Sequence, residues 1–170
     1  MCEFVAVGIS NQRSTAPAIF QRSGLSAWPA RNPFLRSFFH ATDTIFWVTS
    51  GGCSCDLYVE EPPSVDDRDL RAKYQRKGWS LAKTERAVEA KRKRSPLPRP
   101  KLDAFRMAVD ALVREVGEMR LHAHFYSGSQ QEEAIPEPRA RTMTLAEFLA
   151  RQGTFPRDTL VAVNLGDRHS

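Results

Sequence analysis

Residues 101–126 read KLDAFRMAVDALVREVGEMRLHAHFY, and two hydrophobic periods meet in them. Leu102, Phe105, Val109, Leu112, Val113 and Val116 recur at spacings of three and four, the pattern of a helix with one apolar face, and Gly117 follows as its stop. From Leu121 the period becomes two. Leu121, Ala123 and Phe125 then fall on one face of a strand, and His122, His124 and Tyr126 on the other. The spacing predicts a helix over Lys101–Glu115 that covers a sheet, followed by a strand over Leu121–Tyr126 with a polar face.

Outside this stretch, three short runs have the β-branched and aromatic content of strands buried on both sides. They are Glu3–Ile9 (EFVAVGI), Thr44–Val48 (TIFWV) and Thr159–Val163 (TLVAV). The segment Ser14–Phe39 is rich in Pro, Gly and Ser, with short helices expected at Pro17–Arg22 and Phe34–Phe39. Gly51 and Gly52 are expected to turn the chain at positive φ, and Leu57 and Val59 to form a further brief extended segment before Pro62. Thr144 and Glu147 have the spacing of a capping box, opening a helix that ends near Gly153. The expectation is an α/β or α+β fold, a single small sheet of four to five short strands packed with helices. It forms a single domain over residues 1–170, with residues 64–100 as a protruding basic helical hairpin and Pro-rich linker.

The length of 170 residues with 41% hydrophobic and 26% charged content fits one compact domain. No run approaches the roughly 18 apolar residues of a membrane span, and no basic flank leads into an apolar signal core, so a cytoplasmic location without membrane attachment is expected. Phosphate-loop, dinucleotide, calcium-loop and Gly-x-Ser-x-Gly patterns are absent, which disfavours nucleotide-dependent and esterase-type chemistry.

The net charge of +5 conceals an asymmetry. Residues 70–101 hold twelve Lys and Arg against two Glu, leaving thirteen basic and eighteen acidic residues elsewhere. Ser64 is placed to cap a first helix with Asp66, Asp67 and Asp69 in its first turn, and Gly78 to end it. Ser80 then caps a second helix running toward Arg94, and the prolines of residues 95–100 stiffen the linker beyond it. Lys73, Arg76, Lys77, Lys83, Arg86, Lys91, Arg92, Lys93 and Arg94 all lie on this hairpin, with Trp79 pinning its turn. Such an array suits an acidic macromolecule. The partner is a nucleic acid, whose phosphates release counterions when neutralised and whose bases Tyr74 and Trp79 can stack on, or an acidic protein, as in an inhibitor or immunity-type role. The bland alternative is a solvated hairpin with Glu85 and Glu89 paired to Arg86 or Lys93.

A second candidate site uses sulfur and imidazole. Three cysteines, Cys2, Cys53 and Cys55, are an odd number without a secretory context, so a disulfide framework is not expected. In extended chain, residues two apart point the same way, so Cys53 with Cys55 and His122 with His124 present two thiolates and two imidazoles. On neighbouring strands they would form a tetrahedral set for zinc, in a zinc-stabilised domain or a thiol- or zinc-dependent enzyme. The alternative has the histidines on an ordinary sheet face. Cys2 reads as a small apolar residue opening strand one. The backbone amides of Ser50–Asp56 are a further candidate, as a nest for an anion.

Overall fold

The computed structural model describes residues 2–10, 15–58, 67–92 and 101–166. They form two compact units, Met1–Glu61 with Arg99–Ser170, and Pro62–Pro98. The first unit is built on the apolar run nearest the N-terminus, which becomes the central strand β1 (Cys2–Ser10). It pairs antiparallel with β3 (Asp43–Thr49) on one side and β4 (Glu118–Tyr126) on the other. With β2 (Ser26–Pro29), β5 (Arg139–Thr144) and β6 (Thr159–Asn164), the sheet has six strands in the order β2-β3-β1-β4-β6-β5. Among the described strands, β5 and β6 pair in parallel and the other neighbours are antiparallel. The mostly antiparallel pairing makes the class α+β.

Six strands replace the expected four to five because both edges escaped the pattern. β2 is four residues long and ends in Pro29, a residue that edge strands tolerate because it need not donate to a ladder. β5 reads RARTMT and buries only Met143, so it carries no apolar alternation. The segment after β3 differs too. Neither Gly51 nor Gly52 takes positive φ, and residues 51–57 form bends and turns, with Leu57 and Tyr58 buried; Val59 lies outside the described residues.

One face of the sheet is covered by α1 (Thr15–Arg22), α5 (Leu102–Val116) and α6 (Leu145–Ala150). Val5, Val7 and Ile9 of β1 meet Ile19, Phe20, Phe105, Val109, Leu112 and Phe148 there, and the apolar stripe of α5 supplies much of this core. Gly117 stops α5 at φ 86°, its N–H donating to the Val113 carbonyl at 2.8 Å. The capping box at α6 is complete, Thr144 and Glu147 each accepting the other's backbone N–H.

The opposite face is thinner. It holds Phe4, Ala6, Ile45, Trp47 and Tyr126 under α2 (Pro33–Phe38), Phe39 and Ile135. Asn32 caps α2, its carboxamide oxygen accepting from Leu35 N–H at 3.0 Å while its amide donates to the Gln130 and Glu133 carbonyls. The side chains of β1 shrink where the aromatics crowd in. A Cβ on Gly8 would lie 2.1 Å from Phe39 Cδ1, so the phenyl ring occupies the place of a side chain. Arg120, beside this row, is buried and donates to both oxygens of buried Asp43 at 3.0 and 3.1 Å.

The second unit is the helical hairpin of α3 (Asp67–Arg76) and α4 (Leu81–Arg92). Among the described residues, no helix is long and apolar enough to cross a membrane.

Gly8→Ala is expected to destabilise the fold by about 1–3 kcal/mol, the cost of overpacking a filled core. Urea denaturation should show a lower midpoint at unchanged slope, and adding Phe39→Leu should recover part of the loss.

Candidate functional site

The ladder between β1 and β3 runs from Ser10 opposite Asp43 to Val5 opposite Val48. Beyond it, Ser54 takes the place of a strand. Its hydroxyl accepts from Val5 N–H at 2.9 Å and donates to the Val48 carbonyl at 2.6 Å, and its own N–H donates to the Glu3 carbonyl at 2.8 Å. Ser54 is fully buried. These bonds draw the loop back over the start of β1, where Cys53 and Cys55 flank Ser54 and Cys2 opens the strand.

The sulfur atoms of Cys2, Cys53 and Cys55 consequently lie within 4.8 Å of one another. All three are thiols and half-buried. Burial and the hydrogen bond with Cys53 push the Cys55 thiol up, opposed by a hydrogen bond from the Glu3 backbone. Three sulfurs at this spacing can hold a metal ion, because the cation removes the repulsion that otherwise keeps neighbouring thiolates protonated.

The expected partners of Cys53 and Cys55 are not those found. Among the described residues, the close group of donors contains Cys2 and neither His122 nor His124. Sequence reasoning missed Cys2, and the one signal for it was that the odd number of cysteines leaves a thiol without an assigned role. The anion nest is also partly consumed: Ser50 N–H donates to the Cys53 carbonyl at 3.2 Å, and Ser54 N–H to Glu3.

In the hairpin, Gly78 at φ 73° forms a helix-ending motif of two bonds, Gly78 N–H to the Gln75 carbonyl and Trp79 N–H to the Tyr74 carbonyl. Tyr74 and Trp79 supply the apolar contact that goes with this motif, their rings stacked at 4.6 Å and 9°. Lys83 Nζ lies 4.3 Å from the Trp79 ring. Glu85 pairs with Arg71 through two bonds of 2.7 and 2.9 Å, not with Arg86, and Arg71 holds its carboxyl below the usual range. Lys73, Arg76, Lys77, Lys83 and Arg86 are exposed, and Arg76 and Arg86 donate to carbonyls of their own helices at 3.3 Å. Among the described residues none of these five forms an ion pair. Lys91 and Arg92 continue α4 but their side chains lie outside the described residues, as do Lys93, Arg94, the Ser64 cap and the proline linker.

No protein family model matches the chain, and neither curated proteins nor solved structures give a match.

The histidines belong to the thinner face of the sheet. The alternation implied a polar face, but this side of the sheet is a covered cluster of mostly apolar and aromatic side chains. His122 is fully buried against Phe38, ring centroids 6.1 Å apart, and neither ring nitrogen has a hydrogen-bond partner. Trp47 Nε1 and the Tyr126 hydroxyl are buried and unpartnered on the same face. His124 is paired through Nδ1 with Asp158, its Nε2 lies 4.0 Å from Glu133, and its ring meets Tyr126 edge-on at 4.6 Å. Asp158 sits at φ 52°, uncommon for a residue with a side chain. Burial lowers His122 from 6.5 to about 4, a shift that the Asp158 carboxylate opposes and His124 reinforces.

His122 is therefore neutral when folded and takes up a proton more readily when unfolded. Its contribution is fully present above pH 6.5 and is lost as pH falls toward 4. The loss amounts to about 3 kcal/mol at full protonation of the unfolded chain. Stability measured by urea unfolding between pH 7 and 4 should fall by that order, and His122→Phe should remove this component; an unchanged pH dependence in the variant would refute the assignment.

Proposed function

We propose that the protein is a cytoplasmic binding protein whose α3–α4 hairpin docks on an acidic macromolecule. The observation that carries this reading is the set of five exposed cations on one short hairpin that form no ion pair among the described residues, continued in sequence by the run Lys91–Arg94. Phosphates or clustered carboxylates neutralise such an array better than scattered surface acids do. The mutual stacking of Tyr74 and Trp79 argues against intercalating bases, so a nucleic acid would be held by its backbone and read without sequence preference. An acidic protein surface meets the same cations.

Binding of the full chain to unrelated DNA duplexes and to polyglutamate, each across a salt series, tests this. Salt-sensitive binding to duplexes, falling by about 0.9 log units per log unit of salt for each phosphate neutralised, identifies a nucleic-acid backbone. Binding confined to polyglutamate identifies an acidic protein partner. Charge reversal at Lys91, Arg92, Lys93 and Arg94 should weaken either uniformly and flatten the salt slope. Affinity indifferent to salt would defeat the proposal.

One specific observation favours a second reading, a metal-stabilised domain, and it is the gathering of the three thiols. We propose zinc as the cation, because a d10 ion takes thiolates without demanding a fixed geometry and is suited to a reducing compartment. There it would clamp the start of β1 to the loop after β3. Elemental analysis of protein purified without a metal-binding tag should find one equivalent of zinc, lost in Cys2→Ser and Cys53→Ser and retained in His122→Ala. Metal retained in Cys2→Ser would break the grouping.

A further inference from the structure

Taking the zinc reading as its basis, we infer that the three-thiol centre leaves one coordination position for an external neutral nitrogen donor of the imidazole type. Zinc completes four positions. Closed structural sites fill all of them from the protein, whereas three protein ligands leave the fourth to solvent or to a substrate.

The donors that chain and register place beside the sulfurs are already engaged. The Glu3 carboxylate, next to Cys2, accepts from Arg157 at 2.6 Å. The Asp56 carboxylate, next to Cys55, accepts from the Ser50 hydroxyl at 3.4 Å. Tyr126 faces Cys2 across the β1–β4 ladder, but its ring packs edge-on against Phe4 and Trp47 and its hydroxyl is buried. Two pairs further along, His124 faces Phe4 and is held by Asp158. Among the described residues, no fourth His, Cys, Asp or Glu joins the group of sulfurs. The three cysteines are half-buried and so are not sealed within the core.

Charge then selects the ligand. Zinc with three thiolates carries a net charge of −1, and the Asp56 carboxylate sits one residue from Cys55, whereas the Glu3 carboxylate is already neutralised by Arg157. A carboxylate or a fourth thiolate entering there meets repulsion, while a neutral imidazole does not. Loading the centre releases three thiol protons for each zinc ion. Exchange at the fourth position moves none: water leaves with its lone pair and the imidazole nitrogen supplies another, without a change in oxidation state.

The test uses cobalt(II) as a spectroscopic replacement for zinc in the reduced full chain, followed by titration with imidazole and, separately, with acetate. The expected result is one equivalent of tetrahedral cobalt with thiolate-to-metal charge transfer, whose visible bands shift on adding imidazole and not on adding acetate. Cys2→Ser should weaken cobalt binding by more than the roughly ten- to hundredfold that loss of an outer-shell partner costs. Bands that ignore imidazole would show a centre closed by the protein and overturn the inference while leaving the zinc reading intact. A response to acetate equal to that to imidazole would overturn the choice of ligand class. Failure of the reduced chain to bind cobalt at all would remove the zinc reading itself.

Discussion

The hydroxyl of Ser54 is the constraint from which the thiol centre follows. A buried hydroxyl left without partners costs about 1–3 kcal/mol, and so does the buried Val5 N–H it satisfies. Ser54 meets both demands by inserting where β3 has already left the ladder, bonding Val5 on one side and Val48 on the other. Its own N–H reaches further back, to Glu3. Three bonds to two strands leave the loop little freedom, and the residues on either side of Ser54 must project near the first residue of β1. The cysteines meet because a serine between two of them is anchored. A Gly-Gly turn alone would not have brought Cys2 into reach.

A second constraint acts along β1. Ala6 and Gly8 have small or no side chains on the face where Trp47, Phe39 and Tyr126 need room, and the Phe39 ring lies where a Gly8 side chain would stand. Phe4, Trp47 and Tyr126 then meet edge to face at 5.6 to 5.8 Å, which favours a fixed packing over a fluid one. The same closure buries His122 and forces it to remain neutral. Imidazole nitrogens that looked available on a strand are thus committed to the interior, under a short helix that only Asn32 and two prolines announce.

What could be read from the sequence depended on how much each element buries. α5 was legible to within a residue at each end because its stripe is long and its glycine stop is a backbone requirement. The capping box at Thr144 was legible for a similar reason, being a local arrangement of four residues. β2 and β5 were not, since an edge strand with one exposed side needs little apolar sequence. Of the thiol centre, Cys53 and Cys55 were visible and their common direction was expected from extended geometry. The chain there is not extended, so the pairing with His122 and His124 failed with its premise. Cys2 was hidden by distance: a contact between residues 2 and 53 has no period to reveal it, and only its surplus in the cysteine count pointed to it.

The hairpin illustrates how a structural duty narrows chemistry. Tyr74 and Trp79 are the aromatic residues a nucleic-acid reader would offer to bases, yet the turn at Gly78 uses them as the apolar clasp over its two capping bonds. Lys83 adds its charge to the same ring. What remains outward is charge without shape, which sets encounter rates and salt dependence but carries little base discrimination. The thiol centre has the reverse character, a fixed geometry of three sulfurs in a part of the sequence with excess acid. Ionic strength governs the first and proton competition for the thiolates the second. A polyanion on the hairpin would therefore be displaced by salt, and a metal on the thiols by acid.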